Sequence, residues 1–337
     1  MDSIYELKPL GFHWELHDPF IFCAHHNDQF PRGNERQGPD PGLLKGRNIG
    51  NDFVVKDGFR MYHGEQVPGF PVHPHRGFET VTITLEGLVD HSDSLGASGR
   101  YGNGDVQWMT AGKGIQHAEI FPLLHKDKEN PLELLQVWIN LPAKSKFVDP
   151  YYKMLWSEDI PVVNVNDPSG KHSKVLVIAG EYNGTFALSP TPDSWAADPA
   201  NEVGIWIAEL DPGATLAIPA AKGKLNRSIY YYYGDGLTIS GQNLPGKHQA
   251  RMRTDQALEV VNGDRPSTFL VLQGKPIAEP VAQYGPFVMN SRSEIQQAYQ
   301  DYTETRFGGW PWDRLDPVHG SEPIRFAKYI DGSEEKR

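Results

Sequence analysis

His73-Pro74-His75-Arg76-Gly77-Phe78-Glu79-Thr80-Val81-Thr82-Ile83-Thr84-Leu85-Glu86 decides the fold. From Val81 onward apolar and polar residues alternate strictly, the pattern of a half-buried β-strand. Val81, Ile83 and Leu85 take the core-facing positions. Carried backward, the same register turns His73, His75 and Glu79 toward the interior. Two imidazoles at i and i+2 on one strand face stand about 7 Å apart at Cα and can converge on one ion.

A second short pair, His117-Ala118-Glu119, follows the glycine-rich turn Ala111-Gly112-Lys113-Gly114 and has the same spacing. On adjacent strands of a small barrel, His73, His75, His117 and Glu119 would point at one place. One buried histidine is ordinarily a hydrogen-bonded core residue, and a lone His-x-His is a weak signal. Two pairs at same-face spacing are harder to assign to packing. Burying three imidazoles and a carboxylate without partners would cost several kcal/mol. The spacing therefore predicts a metal. Three nitrogens and one carboxylate oxygen suit Fe(II), Mn, Ni, Co, Cu or Zn, and affinity order does not choose among them. Four protein ligands on a six-coordinate ion leave two positions open, whereas a closed tetrahedral structural zinc leaves none. Glu79 is expected to orient a ligating histidine, the alternative being a place at the barrel rim.

Working outward, residues 28–70 are rich in Gly, Pro, Asn, Asp and Arg and lack sustained periodicity. A loop that long is uncommon unless it has a function. Two readings stand: a cover over the mouth of the first barrel, or a surface or subunit-contact loop. Val81–Glu86 and Leu134–Leu141 read as strands, with glycines punctuating the chain between them. After a polar stretch around 142–173, a second set of strands appears at Lys174–Ala179, Val203–Leu210, Ser228–Tyr233, Ala257–Val261 and Thr268–Gln273. The expected class is all-β, with domains at 1–147, which carries the metal motif, and 148–337. Tyr230–Tyr233 reads as a strand with two rings in and two out. One helix is predicted near the end. Ser291 and Glu294 form a capping box, Ile295, Ala298, Tyr299 and Tyr302 make one apolar stripe, and Gly308-Gly309 stops it. The tail with Trp310, Trp312 and Tyr329 should lie over the body or a neighbouring subunit.

Composition narrows the function. The 337 residues include 34 Gly and 27 Pro, above the usual ~12% for the two together and in keeping with short strands and many turns. A net charge of −11 with no dense Lys/Arg block argues against nucleic-acid binding. A single cysteine, Cys23, excludes an intrachain disulfide and a thiolate zinc cluster, and reads as a small buried hydrophobe. The start, Met1-Asp2-Ser3-Ile4-Tyr5-Glu6, lacks a secretory signal pattern, and apolar runs such as Val175–Ala179 are too short to span a bilayer. The expectation is a cytoplasmic protein.

Three blocks then resemble the pirin family of the cupin superfamily: Phe70–Thr82, His91–Gly99 and Gly104–Glu119, the last running Gly-Asp-Val-Gln-Trp-Met-Thr-Ala-Gly-Lys-Gly-Ile-Gln-His-Ala-Glu. Gln283-Tyr-Gly-Pro-Phe-Val-Met-Asn resembles the family's lead into its C-terminal helix. The resemblance implies a bicupin: two β-sandwich (jelly-roll) barrels and a C-terminal α-helix, with one mononuclear, iron-type site in the first barrel. The family's ligands fall on His73, His75, His117 and Glu119, and Fe(2+) becomes the first expectation among the metals. The second barrel is usually metal-free in such proteins, and Gly223-Lys-Leu-Asn-Arg at the comparable stretch has no His-x-His. The chain departs from the family in a longer segment between Asp18-Pro19-Phe20 and His73, and in an unfamiliar tail after Phe307.

The resemblance implies two main roles. Several pirin-like proteins resemble quercetin 2,3-dioxygenases, which open a flavonol with O₂ and release carbon monoxide. Glu119 would then be the catalytic base, with Val81, Ile83 and Trp108 available to line the pocket. Ordinary core packing is the competing role for Trp108. The other role is a non-enzymatic, metal-dependent regulator that binds a protein partner. A metal-free or zinc-filled scaffold is a third. His91 is expected beside the pocket, while His25, His26 and His63 carry no assigned role.

Overall fold

The computed structural model describes residues 2–337, and the chain is a bicupin made almost wholly of antiparallel strands with one C-terminal helix. It divides into two compact units that interleave along the chain. One comprises Met1–Cys23, Trp138–Pro142 and Glu158–Ala278; the other comprises Ala24–Val137, Ala143–Ser157 and Glu279–Arg337. These are groupings in space, so the division at 147/148 stands as a proposal about chain order.

The unit holding the histidine motif is built on two sheets. One runs in the order Glu334–Lys336, Phe326–Lys328, Ser98–Gly102, Leu88–Asp93, Ile115–Ile120, Gly69–His75. The other places Phe78–Glu86 between Val106–Thr110 and Asn130–Asn140, with Tyr151–Leu155 outside Val106–Thr110. The continuous register expected from His73 to Leu85 is therefore wrong. The chain leaves the first sheet after His75 and enters the second at Phe78, turning at Gly77 with φ of +86°. That conformation is open to glycine at little cost, and a Cβ at Gly77 would meet the Val288 carbonyl oxygen at 2.0 Å.

The turn reverses the assignment of faces. Phe78–Glu86 is buried on both sides rather than half-exposed. Thr82 directs its hydroxyl to Glu119, so its neighbours Val81 and Ile83 lie on the opposite face, in the hydrophobic interior. Trp108 is paired with Val81 and fully buried, which fits its packing role. The polar side of this strand, not the apolar side, looks into the cup.

The helix spans Arg292–Thr305. Ser291 caps it by accepting from the Glu294 N–H, while Glu294 accepts from Ser291 Oγ and from the Asn290 N–H. It ends ahead of the predicted glycine pair, because Arg306 adopts the left-handed conformation, φ +51°. Ile295 and Ala298 bury against Phe287 and Met289, with Tyr302 and Phe307 beside them. The tail docks on the same unit: Phe326–Lys328 adds a strand beside Ser98–Gly102, and Trp312 Nε1 donates to the Asp93 carbonyl. Buried Arg100 clamps Asp90 with two 2.7 Å bonds and donates to the Glu322 and Gly320 carbonyls, tying the tail down.

The other unit pairs a seven-stranded sheet with a four-stranded one. The larger runs Ile4–Pro9, His248–Met252, Asn226–Tyr233, Ser267–Gly274, Gly204–Leu210, His172–Ala179, Val162–Asn166. Its core gathers Val175, Val177, Trp206, Ile229, Phe269 and Val271. The tyrosine run does not divide two in and two out by alternation. Tyr231 enters the core, and Tyr230, on the other face, is buried because Trp14 stacks on it at 5.3 Å. Tyr233 is exposed. Among the described residues, no helix is long and apolar enough to cross a membrane.

Candidate metal centre

His73 and His75 occupy one face of Gly69–His75, and the neighbouring strand Ile115–Ile120 brings His117 directly opposite His73. An irregularity between Phe70 and His73 sets that pairing, leaving Phe70 opposite Glu119. One ligand atom from each of His73, His75 and His117 lies within 4.8 Å of the others, close enough for the three to hold one metal ion. Glu119, two residues along the same strand, has Oε2 3.8 Å from His117 Nε2.

The protonation chemistry favours a ligand set. Burial pushes the His73 imidazolium down to about 4, opposed by the Pro71 carbonyl and assisted by the fields of His63 and His91. Burial also drives His75 and His117 well below the ordinary histidine value, with the neighbouring imidazoles adding to the shift. Neutral imidazole is the form that donates to a metal. His73 Nδ1 lies 2.9 Å from the Pro71 carbonyl, which can only accept, so the proton sits on Nδ1 and the Nε2 lone pair is free. Fully buried His117 has neither ring nitrogen in a hydrogen bond. An imidazole in that state loses its aqueous partners without replacement. A metal ion supplies what the cluster lacks, and the donor set fits one.

Glu119 is held from the second sheet. Gln136 Nε2 donates to Oε1 at 3.0 Å and to Oε2 at 2.9 Å, and Thr82 Oγ1 donates to Oε1 at 3.2 Å. Burial raises the carboxyl above its usual range, while Gln136, the His91 field and Thr82 pull it back. Gln136 had no role in the sequence reading. Its signal was a polar residue inside the apolar run Leu134–Leu141, which Asn140 also interrupts.

His91 belongs to the same cup. It is paired with Glu119 across the ladder, its ring lies 5.6 Å from that of His117, and Tyr152 stacks on it at 4.7 Å. Asp93 Oδ2 lies 3.2 Å from its Nε2. Glu79 accepts from Thr110, its partner on the adjacent strand, and shares its strand face with Val81 rather than with Thr82, whose hydroxyl meets Glu119. His25 meets Glu133 at 2.8 Å. His26 bonds the Tyr62 hydroxyl, which donates to Asp28, and Asp28 is also held by Arg60. This network anchors the 28–70 segment.

A cleft of about 740 Å³ reaches His73. His63, Glu65 and Gln66 of the 28–70 segment form part of its wall, and Arg314, Leu315 and Asp316 of the tail form another part. The tail is fixed there by the Val72 N–H donating to the Leu315 carbonyl. Both segments that lie outside the family-like blocks therefore border the cleft that reaches His73.

Comparison with known proteins agrees with this architecture. The Pirin family pattern matches residues 11–139, and the Pirin C-terminal cupin domain matches residues 205–308. A Pseudomonas aeruginosa protein is 40% identical over 248 residues, covering 72% of this chain and 80% of the relative; its name assigns it provisionally to the quercetin 2,3-dioxygenases. Human pirin is 39% identical over 261 residues, covering 76% of this chain and 82% of its own. The crystal structure of a quercetin 2,3-dioxygenase from Acinetobacter baumannii superposes with a TM-score of 0.70 at 27% identity, covering 92% of this chain and 99% of that one. The chain belongs to the pirin family.

Proposed function

We propose that this protein is a mononuclear metal-dependent dioxygenase acting on flavonol-type substrates, with His73, His75, His117 and Glu119 as the metal ligands and Fe(2+) as the metal. The observation that carries the reading is a buried carboxylate, fixed by Gln136 and Thr82, beside three imidazoles held neutral by burial, one of which, His73, lines an open cleft. The names borne by the Pseudomonas relative and the Acinetobacter structure support the choice of reaction.

The overall reaction consumes one flavonol and one O₂. Both oxygen atoms stay in the ring-opened ester, and the carbon that bore the 3-hydroxyl leaves as carbon monoxide. A metal ion held by His73, His75, His117 and Glu119 would supply Lewis acidity that offsets the charge developing as the 3-hydroxyl ionises. Glu119 is the proton acceptor. Its Oε2 is the oxygen nearer His117, and Oε1 already accepts from Gln136 and Thr82, so one of those two hydrogen bonds has to yield when Oε1 takes the hydroxyl proton. Burial makes this carboxylate a better base than one in water, and the Gln136 amide keeps it from turning away. His73 is fixed by the Pro71 carbonyl with its proton on Nδ1 and its Nε2 lone pair free to hold a metal. The 28–70 segment and the tail, which border the cleft, would select substrates by shape.

The test is oxygen uptake and carbon monoxide release with quercetin, using protein loaded anaerobically with Fe(II). Stoichiometric consumption of both substrates is expected, and Glu119→Gln should lose turnover while remaining folded. An iron-loaded protein that consumes no oxygen with flavonols would overturn the enzymatic reading and favour a metal-dependent role with a protein partner.

A further inference from the structure

The second cupin unit carries a cavity that the chemistry above does not use. It encloses about 410 Å³ and is lined by Arg227, Trp206 and Gln273 among others. Arg227 and Gln273 face each other on neighbouring strands, Asn226–Tyr233 and Ser267–Gly274, and Gly204 faces Gln273 from the strand on its other side. Trp206, two residues beyond Gly204, shares its face.

Arg227 is 1% exposed and Trp206 is 2% exposed. Gln273 Oε1 accepts from Arg227 Nε at 2.8 Å and from Nη2 at 2.6 Å, while Gln273 itself is held by donating to the Glu202 carbonyl at 3.2 Å. The remaining guanidinium nitrogen, Nη1, has no hydrogen-bond partner, and neither does the indole nitrogen of Trp206. Two buried N–H donors, on two residues that line one cavity, thus lack acceptors, and one belongs to a cation. Each such group is costly to bury unless satisfied, the charged one most of all. Burial lowers the Arg227 guanidinium to about 10, with the Glu202 field opposing.

A Cβ at Gly204 would come within 2.9 Å of both the Gln273 and the Trp206 side chains, so glycine gives these two groups their room. The carboxylates around the cavity, Glu181, Asp198 and Glu202, are nearer the surface and already engaged. Glu202 accepts from the Lys222 N–H, Asp198 from the Ala200 N–H, and Glu181 lies 3.5 Å from Lys222 Nζ. The inner wall adds apolar surface from Val203 and from the rings of Trp206 and Pro219.

We infer that this cavity is a binding site for a small organic carboxylate with an apolar body, the carboxylate accepting from Arg227 Nη1 and Trp206 Nε1. A guanidinium prefers an anionic acceptor, and charge-assisted bonds of this kind are about twice as strong as neutral ones. The apolar wall selects a hydrocarbon or aromatic body over a bare inorganic anion. The site would give the second cupin a ligand-sensing role without a metal.

Benzoate tests this directly. Titration of the full-length protein by calorimetry should show one saturable site per chain. The indole N–H resonance that vanishes in Trp206→Phe should shift as benzoate is added. Arg227→Met should weaken binding at least roughly tenfold. Trp206→Phe, which keeps the ring and removes the donor, should weaken it several-fold and serves as the control should Arg227→Met fail to fold. Metal content should be unchanged in both variants. No saturable benzoate binding, equal affinity in Trp206→Phe and wild type, or displacement of benzoate by equimolar inorganic phosphate would each overturn the assignment.

Discussion

His73 and His117 are direct partners across the antiparallel ladder, with ring centroids 4.4 Å apart, and His75 completes the triangle at 4.8 and 4.9 Å. Opposed strand positions bring Cβ atoms within about 5 Å, so the ladder itself sets this spacing. Either histidine replaced by alanine should leave a folded chain that retains little metal, because two remaining imidazoles cannot enclose an ion as three do. Elemental analysis of His73→Ala and His117→Ala beside wild type checks this, with circular dichroism to establish folding. Full metal occupancy in His117→Ala would contradict it.

Gln136 should matter nearly as much as a ligand. Gln136→Leu removes both hydrogen bonds that orient Glu119 and leaves a buried carboxylate with only Thr82. Loss of such an outer partner commonly weakens a metal by about 10–100-fold. Competition with a chelator of known affinity measures the change, and an affinity equal to wild type would show that Glu119 needs no such support.

The metal-free protein should lose stability as pH falls from about 6.5 toward 4. The folded-state histidines are depressed by burial, so below the unfolded value the unfolded chain binds protons that the folded chain refuses. His73 alone, lowered from 6.5 to about 4, accounts for roughly 3 kcal/mol at the acid end of that window, at 1.36 kcal/mol for each pH unit. His75 and His117 add in the same direction. Urea midpoints measured across this range should fall with pH in wild type and fall less steeply in His75→Ala. A flat profile would contradict the neutral cluster.

Gly77→Ala should destabilise the chain by about 1–3 kcal/mol or more, because a side chain there is strained at φ +86° and strikes the Val288 carbonyl oxygen. Urea denaturation measures it. Since Gly77 follows His75 by two residues, the variant should also bind metal more weakly.

Arg100→Met should cost about 3–5 kcal/mol, since Asp90 would be left as a buried charge. The same guanidinium holds two carbonyls of the tail. Limited proteolysis should therefore release fragments after residue 310 faster in the variant than in wild type.

Much of the site was legible in short-range spacing. The two i, i+2 pairs stated which residues share a strand face, and the all-β class followed from alternation and from the frequency of turn residues. What spacing could not state was where a strand changes sheets. Gly77 looked like one residue in a continuous run, and only its positive φ and the crowding by Val288 reveal the corner that exchanges the faces of Val81 and Thr82. Gln136 was hidden for a related reason: its contact with Glu119 joins different sheets, and a one-dimensional pattern does not encode that pairing. The tail's docking depends on Arg100, Asp90 and backbone carbonyls more than 200 residues away, contacts with no periodic signature.

X-ray absorption of the Fe(II)-loaded protein addresses the central claim most directly. The expected first shell is nitrogen and oxygen with scattering from three imidazoles and no sulfur, and His75→Ala should lose that shell together with most of its iron. A shell with fewer than three imidazoles in wild type, or one unchanged by His75→Ala, would contradict it.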